Sequence, residues 1–222
     1  MTIKTAISSK NDAKNLVHES AAYHVTGEAV YIDDMLVNSQ LLHGHVYYSP
    51  HAHAKIVHYD LSKARTLKGV QAILTYKDVI GHNDMGPIVH DEPVLAEELV
   101  TFVGQAIFII AADNEAIALE AAALIEIEYE LLEPVLSIAA AMEIGEAQLI
   151  AAPRKIEIGD TDKALGTAAH ILEGELHIGG QEHWYLETQV CLCVPGEGDE
   201  MKVYSSTQHP SETQALVAEV LN

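Results

Sequence analysis

A chain of 222 residues with 49% hydrophobic content is long enough to bury one large core or two small ones. Its 33 acidic residues against 12 basic ones, a formal charge of -21, exclude a surface built to neutralise nucleic-acid phosphates; solubility is enough to account for the acidity. No run of roughly eighteen apolar residues and no basic segment ahead of an apolar one occurs, so the sequence predicts neither a membrane span nor a signal peptide and points to a cytoplasmic protein.

Taken in chain order, VTGEAVYIDD (Val25 to Asp34) opens on a turn at its glycine and leads into the β-rich LLHGHVYYSPHAHAKIVHYDL (Leu41 to Leu61), within which SPHAHAKI reads as an ordinary strand. Two short helices follow. One spans Leu61 to Leu67 behind Asp60, the other Tyr76 to Ile80 behind Thr75, with Asp78 placed to complete a capping box. Gly69 and Gly81 fall where C-terminal glycines belong. QAIFIIAAD (Gln105 to Asp113) reads as a buried strand, Asn114 to Leu124 as an alanine-rich helix capped by Asp113, and the strictly alternating IEIEYEL (Ile125 to Leu131) as a half-exposed strand. Strands and helices in this mixed order predict an α+β fold.

After Glu133-Pro134 the spacing predicts a short helix or a linker at Ser137 to Met142, then a strand at Lys155 to Ile158 and a helix from Asp162 to Ala169. Alternation at Ile171 to Ile178 predicts another strand, which runs into the Gly-Gly-Gln loop. Strands at Leu186 to Val194 and Met201 to Ser206 flank a turn, and Ser211 with Gln214 forms a capping box for a last helix.

Cys191 and Cys193 are the two cysteines, spaced so that both thiols face the same side of one strand. Ordinary iron–sulfur clusters need four thiolates, so this chain holds none. Of thirteen histidines, His43, His45, His51, His53 and His58 crowd one region. Two H-x-H pairs on a strand could supply half of a zinc or copper site, and a histidine-based metal-binding protein is one reading of the chain. A site also needs convergent ligands and a second shell, so these are taken as structural histidines.

The order of VTGEAVYIDD, SPHAHAKI, DEPVLAEELVTFVGQ, IEYELLEP, GDTDKAL, GGQEHWYLETQ and SSTQHPSETQ, covering Val17 to Leu221, resembles the N-terminal part of the molybdenum-binding subunit of the xanthine dehydrogenases. The resemblance implies an α/β hammerhead domain over residues 17–134, a linker over 135–152 and the incomplete N-terminal part of a molybdopterin-binding domain over 153–222. Because VTGEAVY follows so soon after Met1, it also implies the arrangement in which iron–sulfur and FAD centres sit on a partner subunit. The family hydroxylates xanthine or hypoxanthine at a molybdopterin–molybdenum centre and passes the electrons to those centres. Its substrate-binding acid, its arginine and the glutamate that acts as base all lie downstream of the last helix. No catalytic residue of the family therefore falls in these residues, and the chain alone is expected to be inactive without the remaining molybdopterin-binding half. A related aldehyde oxidase subunit and a non-catalytic assembly module forming part of the cofactor wall are the alternatives. An unfinished sheet would expose apolar surface, which predicts an oligomer.

Read from residues alone, Gln181 is a loop amide facing solvent. The resemblance gives it a cofactor-binding role: the matching glutamine donates a hydrogen bond to an oxygen ligand of molybdenum, without itself ligating the metal. Gly179 and Gly180 beside it permit close backbone approach to the cofactor, or simply a tight turn. Glu182 and His183 are read as groups that orient the loop, and Trp184 with Tyr185 as core or pocket wall. Gln208 is the remaining cofactor-binding candidate, because a strand end leading into a helix N-terminus presents unpaired N–H groups to an anion. The competing reading is that Ser205 to Ser211 only caps the helix.

Overall fold

The structure, a computed structural model, describes residues 18–35, 41–145, 151–185 and 187–222. The expected domain start at residue 17, positions 146–150 of the linker and Leu186 lie outside the described residues. In chain order the helices are α1 (Ala21–Thr26), α2 (Ser62–Thr66), α3 (Glu115–Ala123), α4 (Ile138–Glu143), α5 (Thr161–Thr167) and α6 (Pro210–Leu221). The strands are β1 (His43–Tyr48), β2 (Ala54–Asp60), β3 (Val70–Leu74), β4 (Leu99–Val100), β5 (Ala106–Ala112), β6 (Glu126–Leu131), β7 (Cys191–Pro195) and β8 (Met201–Ser205). Two compact units result. One joins Gln40–Glu182 to His209–Asn222, the other Met1–Ser39 to His183–Gln208.

The larger unit holds two antiparallel sheets, in the orders β1-β5-β3 and β4-β2-β6. Strand β5 is central because its apolar residues run without interruption, which suits a strand covered on both faces. Ile107, Phe108, Ile110 and Ala112 are all buried, and each large side chain taken out of water contributes roughly 1.5–3 kcal/mol. Strand β6 keeps the expected alternation: Ile127 and Tyr129 pack on the core, while Glu126 and Glu130 pair with Lys63 and Lys55 on the outer face. Helix α3 lies against the core through Ala118 and Ala121, whose small side chains permit close approach.

Local signals placed these elements to within a residue or two, with corrections at the caps. Asn114, not Asp113, caps α3 by accepting the Ile117 N–H at 3.0 Å. Asp113 instead accepts from the Gln71 amide at 2.7 Å. Thr75 and Asp78 form the expected reciprocal cap, yet on a single 3-10 turn (Tyr76–Asp78). Gly69 has a φ of +94°, and a Cβ there would meet Ile117 Cδ1 at 2.7 Å, so the C-terminal position requires glycine. Gly81 does something else: its N–H donates to the Val220 carbonyl at 2.9 Å, and that of His82 to Glu219 at 2.9 Å, so this loop closes the end of α6. The first part of SPHAHAKI is a turn held by the Ser49 hydroxyl, which donates to the His51 carbonyl at 2.9 Å, and β2 begins only at Ala54.

The predicted strands at Lys155 to Ile158 and Ile171 to Ile178 are not strands here; their backbone has no ladder partner among the described residues. Alternation specifies which side chains share a face, and a strand forms only when a second strand takes its N–H and C=O groups. Ser137 caps α4, so the expected linker contains a helix. Helix α5 starts at Thr161, one residue before the expected position, with Asp160 accepting from Lys163 N at 2.9 Å.

The smaller unit is built on the β7–β8 hairpin, whose register sets Cys191 opposite Ser205 and Cys193 opposite Val203. The expected strand from Leu186 shortens to Cys191–Pro195, and the turn closes through the Gly196 N–H and the Glu200 carbonyl at 2.8 Å. In the same unit α1 ends on Gly27 in the left-handed conformation, and a 3-10 turn (Ile32–Asp34) is capped by Asp34 accepting the Tyr31 N–H at 3.0 Å.

Candidate functional site

Residues 179–183, the GGQEH stretch, have no regular secondary structure. Gln181 is exposed, and its amide is therefore free of the core and able to present an N–H to a ligand. Gly179 and Gly180 stand in open space: a Cβ built at either meets no atom of the described chain within 4 Å. Neither glycine is needed to relieve crowding among the described residues. The donor set fits a cofactor that accepts hydrogen bonds, since Gln181 supplies an amide N–H that does not titrate.

Further along the same loop, Trp184 adopts a φ of +49° and is 88% exposed. Of the two expected placements, core or pocket wall, the core one does not hold for Trp184, whose indole is exposed. A left-handed conformation costs a residue with a Cβ about 1–2 kcal/mol, and such strain gathers at functional loops. Tyr185 accepts a short hydrogen bond from the Gln189 amide, which ties the loop to the segment that follows it.

Within the smaller unit the recognised motifs meet. Glu187, from GGQEHWYLETQ, accepts the Ile32 N–H of VTGEAVYIDD at 2.9 Å. Ser206, from SSTQHPSETQ, donates through its hydroxyl to the Thr188 carbonyl at 2.7 Å and accepts the Val190 N–H at 3.3 Å. Val30, Ile32, Met35, Glu187, Val203, Tyr204 and Ser205 line a solvent-open cavity of about 350 Å³ at this junction. Glu187 was not singled out from sequence. Its signal is a single acid between Leu186 and Thr188, which is too common to decide without the partner N–H.

Gln208 is exposed and immediately precedes the start of α6. The cap there is His209, not Ser211: its Nδ1 accepts the Glu212 N–H at 3.2 Å, and Pro210 occupies the first turn, where its missing donor costs nothing. Glu212 in that turn also offsets the positive end of the helix dipole. The capping reading of this segment is the one the helix start favours. Gln181 belongs to the larger unit and Gln208 to the smaller.

Comparison with known proteins settles what these motifs belong to. Residues 26–133 match the family described as aldehyde oxidase and xanthine dehydrogenase, a/b hammerhead domain, and residues 144–222 match the molybdopterin cofactor-binding domain. The chain belongs to the aldehyde oxidase and xanthine dehydrogenase family. Like other members it combines an α+β hammerhead with molybdopterin-binding sequence. It is 45% identical to xanthine dehydrogenase of Calliphora vicina over 93% of its own length and 15% of that protein's. It is also 45% identical to aldehyde oxidase 1 of Oryctolagus cuniculus, again over 93% of this chain and 15% of the relative. Quinoline 2-oxidoreductase from Pseudomonas putida 86 superposes with a TM-score of 0.77 at 28% identity, covering 93% of this chain and 28% of that one. The chain thus spans about 15% of the length of the curated relatives it matches.

His53 Nδ1 hydrogen-bonds the Glu133 carbonyl at 2.9 Å, and His51 packs edge-on against Tyr129 at 4.6 Å. Among the described residues no three His, Cys, Asp or Glu side chains converge as a metal site, and no helix is long and apolar enough to cross a membrane.

Proposed function

We propose that this chain is the N-terminal part of the molybdenum-binding portion of a xanthine dehydrogenase that hydroxylates xanthine or hypoxanthine. The observation that carries the reading is the 45% identity to the Calliphora vicina enzyme across nearly the whole chain. Division into a hammerhead over 17–134, a linker over 135–152 and the start of a molybdopterin-binding domain over 153–222 is part of the same proposal.

Gln181 is the residue proposed to face the cofactor, its amide N–H donating to an oxygen ligand while Gly179 and Gly180 admit the group close to the backbone. When bound, molybdopterin supplies the molybdenum at which an oxygen atom is transferred to substrate. The chain's own contribution is to orient that centre by a donor that holds its charge state at every working pH. Gln208 is proposed as a second, weaker contact from the start of α6.

Exposed apolar side chains support the need for further polypeptide. Ile156, Ile158, Leu172, Leu176 and Ile178 are 92%, 90%, 99%, 80% and 76% exposed. An alternating apolar segment of this kind reads as strands whose sheet is completed by the remaining molybdopterin-binding half. Iron–sulfur and FAD centres on a partner subunit would then take the electrons, in an oligomeric cytoplasmic enzyme. The equal identity to aldehyde oxidase 1 favours, as a second reading, an aldehyde as substrate.

Gln181→Ala in the complete enzyme tests the assignment. The expected result is turnover of xanthine slowed by about 10–100-fold with molybdenum content unchanged. Unchanged turnover would overturn the role of Gln181, turnover of an aldehyde in place of xanthine would favour the second reading, and a complete preparation without molybdenum would make the chain an assembly module.

A further inference from the structure

Strand β7 presents Cys191 and Cys193 on one face, because side chains two apart on a strand point the same way. Leu192 between them points inward and is buried, and β8 pairs with the backbone on either side, so the hairpin fixes the two backbone positions and the shared face of the thiols. Their sulfur atoms lie 3.7 Å apart, and both residues are free and exposed. Two fates are open to such a pair. A disulfide is disfavoured by the strand, whose rise of about 3.4 Å per residue puts alternate Cα atoms near 6.8 Å, at the upper limit of disulfide geometry. A chelate is not: with metal–sulfur bonds of about 2.3 Å, a separation of 3.7 Å subtends an angle of roughly 107°, close to tetrahedral. Linear two-coordinate binding would need the sulfurs about 4.6 Å apart, which this spacing does not offer.

We propose that Cys191 and Cys193 form a two-thiolate chelate for a thiophilic divalent cation of the zinc class. Among the described residues no third His, Cys, Asp or Glu completes a cluster, so the other two tetrahedral positions go to water or to a donor from outside the chain. On binding, both thiols give their protons to solvent and no electron is transferred. The site uses none of the residues proposed to contact molybdopterin.

Titration of the reduced chain with cadmium chloride tests it, followed by the ultraviolet sulfur-to-metal charge-transfer band and by protection of the thiols from Ellman's reagent. The expected result is one cation per chain and two protected thiols. C191S or C193S should each weaken binding by about tenfold or more, since a hydroxyl is a poor ligand for a soft cation, and the double variant should abolish the band. Folding of the variants is checked by amide exchange across the hairpin. Absence of saturable binding, binding that survives in the double variant, or two thiols found as a disulfide under mild reductant would each overturn the proposal.

Discussion

Glu187 accepts the Ile32 main-chain N–H at 2.9 Å, joining positions 155 apart in sequence. A carboxylate placed on a backbone donor fixes both distance and direction, since the acceptor is charged and the donor cannot swing away. The junction holds the VYIDD turn against the segment that begins at Glu187, and Ser206 holds that segment to the end of β8. Three motifs that are far apart in the chain thus share one short network inside the smaller unit.

Glu187→Ala should lower the stability of the chain by about 1.5–3 kcal/mol, the usual contribution of a hydrogen bond to a charged group. Glu187→Gln, which keeps a carbonyl oxygen in place, should lose less. Urea denaturation midpoints of the three proteins compare them directly. Identical midpoints would show that the contact adds nothing to stability.

Gly81→Ala should loosen the end of α6. A Cβ at this position would stand 1.9 Å from the Glu219 carbonyl oxygen, and that oxygen belongs to the backbone and cannot rotate away. Forced apart, the loop would lose both N–H bonds to α6, at a cost of about 1–3 kcal/mol for an overpacked contact. Amide exchange of Gly81's successor His82 and of the last turn of α6 reports this, and unchanged protection would mean the helix is held some other way.

The Thr75–Asp78 cap has a pH signature. Asp78 Oδ2 accepts the Thr75 N–H at 2.7 Å and the Thr75 hydroxyl at 2.9 Å, and these bonds hold its carboxyl below the usual carboxylate range. A depressed carboxylate contributes stability above its unfolded pKa and loses it as pH falls through the folded value. The wild-type chain should therefore lose stability in the acid range more steeply than Asp78→Asn. Parallel acid denaturation curves would remove the cap from the account.

The elements that sequence predicted well are those whose signals are local. Strand β5 is an unbroken apolar run, β6 alternates strictly, and Thr75 with Asp78 lie within one turn. Caps were harder where two candidates stand side by side: Asp113 and Asn114 carry equivalent acceptors, and only backbone direction decides between them. His209 displaced Ser211 because Pro210 prefers the first helical position. The failed strands at 155–158 and 171–178 need partners that no local pattern can supply. The role proposed for Gln181 rests on the motif and not on its own chemistry, because an exposed amide has no distinguishing physical property. Glu187 was invisible until its partner, Ile32, was beside it.

Tyr129 sets up the sharpest test of the core. Its ring packs with His51 and on the central cluster, and its hydroxyl is buried with no hydrogen-bond partner among the described residues. Burial, with Tyr47 nearby, pushes the phenol up to about 12 from its ordinary value near 10. An unpaired buried hydroxyl has given up its water hydrogen bonds for nothing, so Tyr129→Phe should be neutral or stabilising, where removal of a bonded hydroxyl would cost about 1 kcal/mol. The linkage runs in one direction. Below the unfolded pKa both states keep the proton; as pH rises from there toward the folded value, the unfolded chain ionises first, and stability falls. The wild type should therefore lose stability across that alkaline window relative to Tyr129→Phe, which has no phenol to ionise. Denaturation midpoints at neutral and alkaline pH measure both effects, and a variant clearly less stable than the wild type at neutral pH would show that the hydroxyl has a partner.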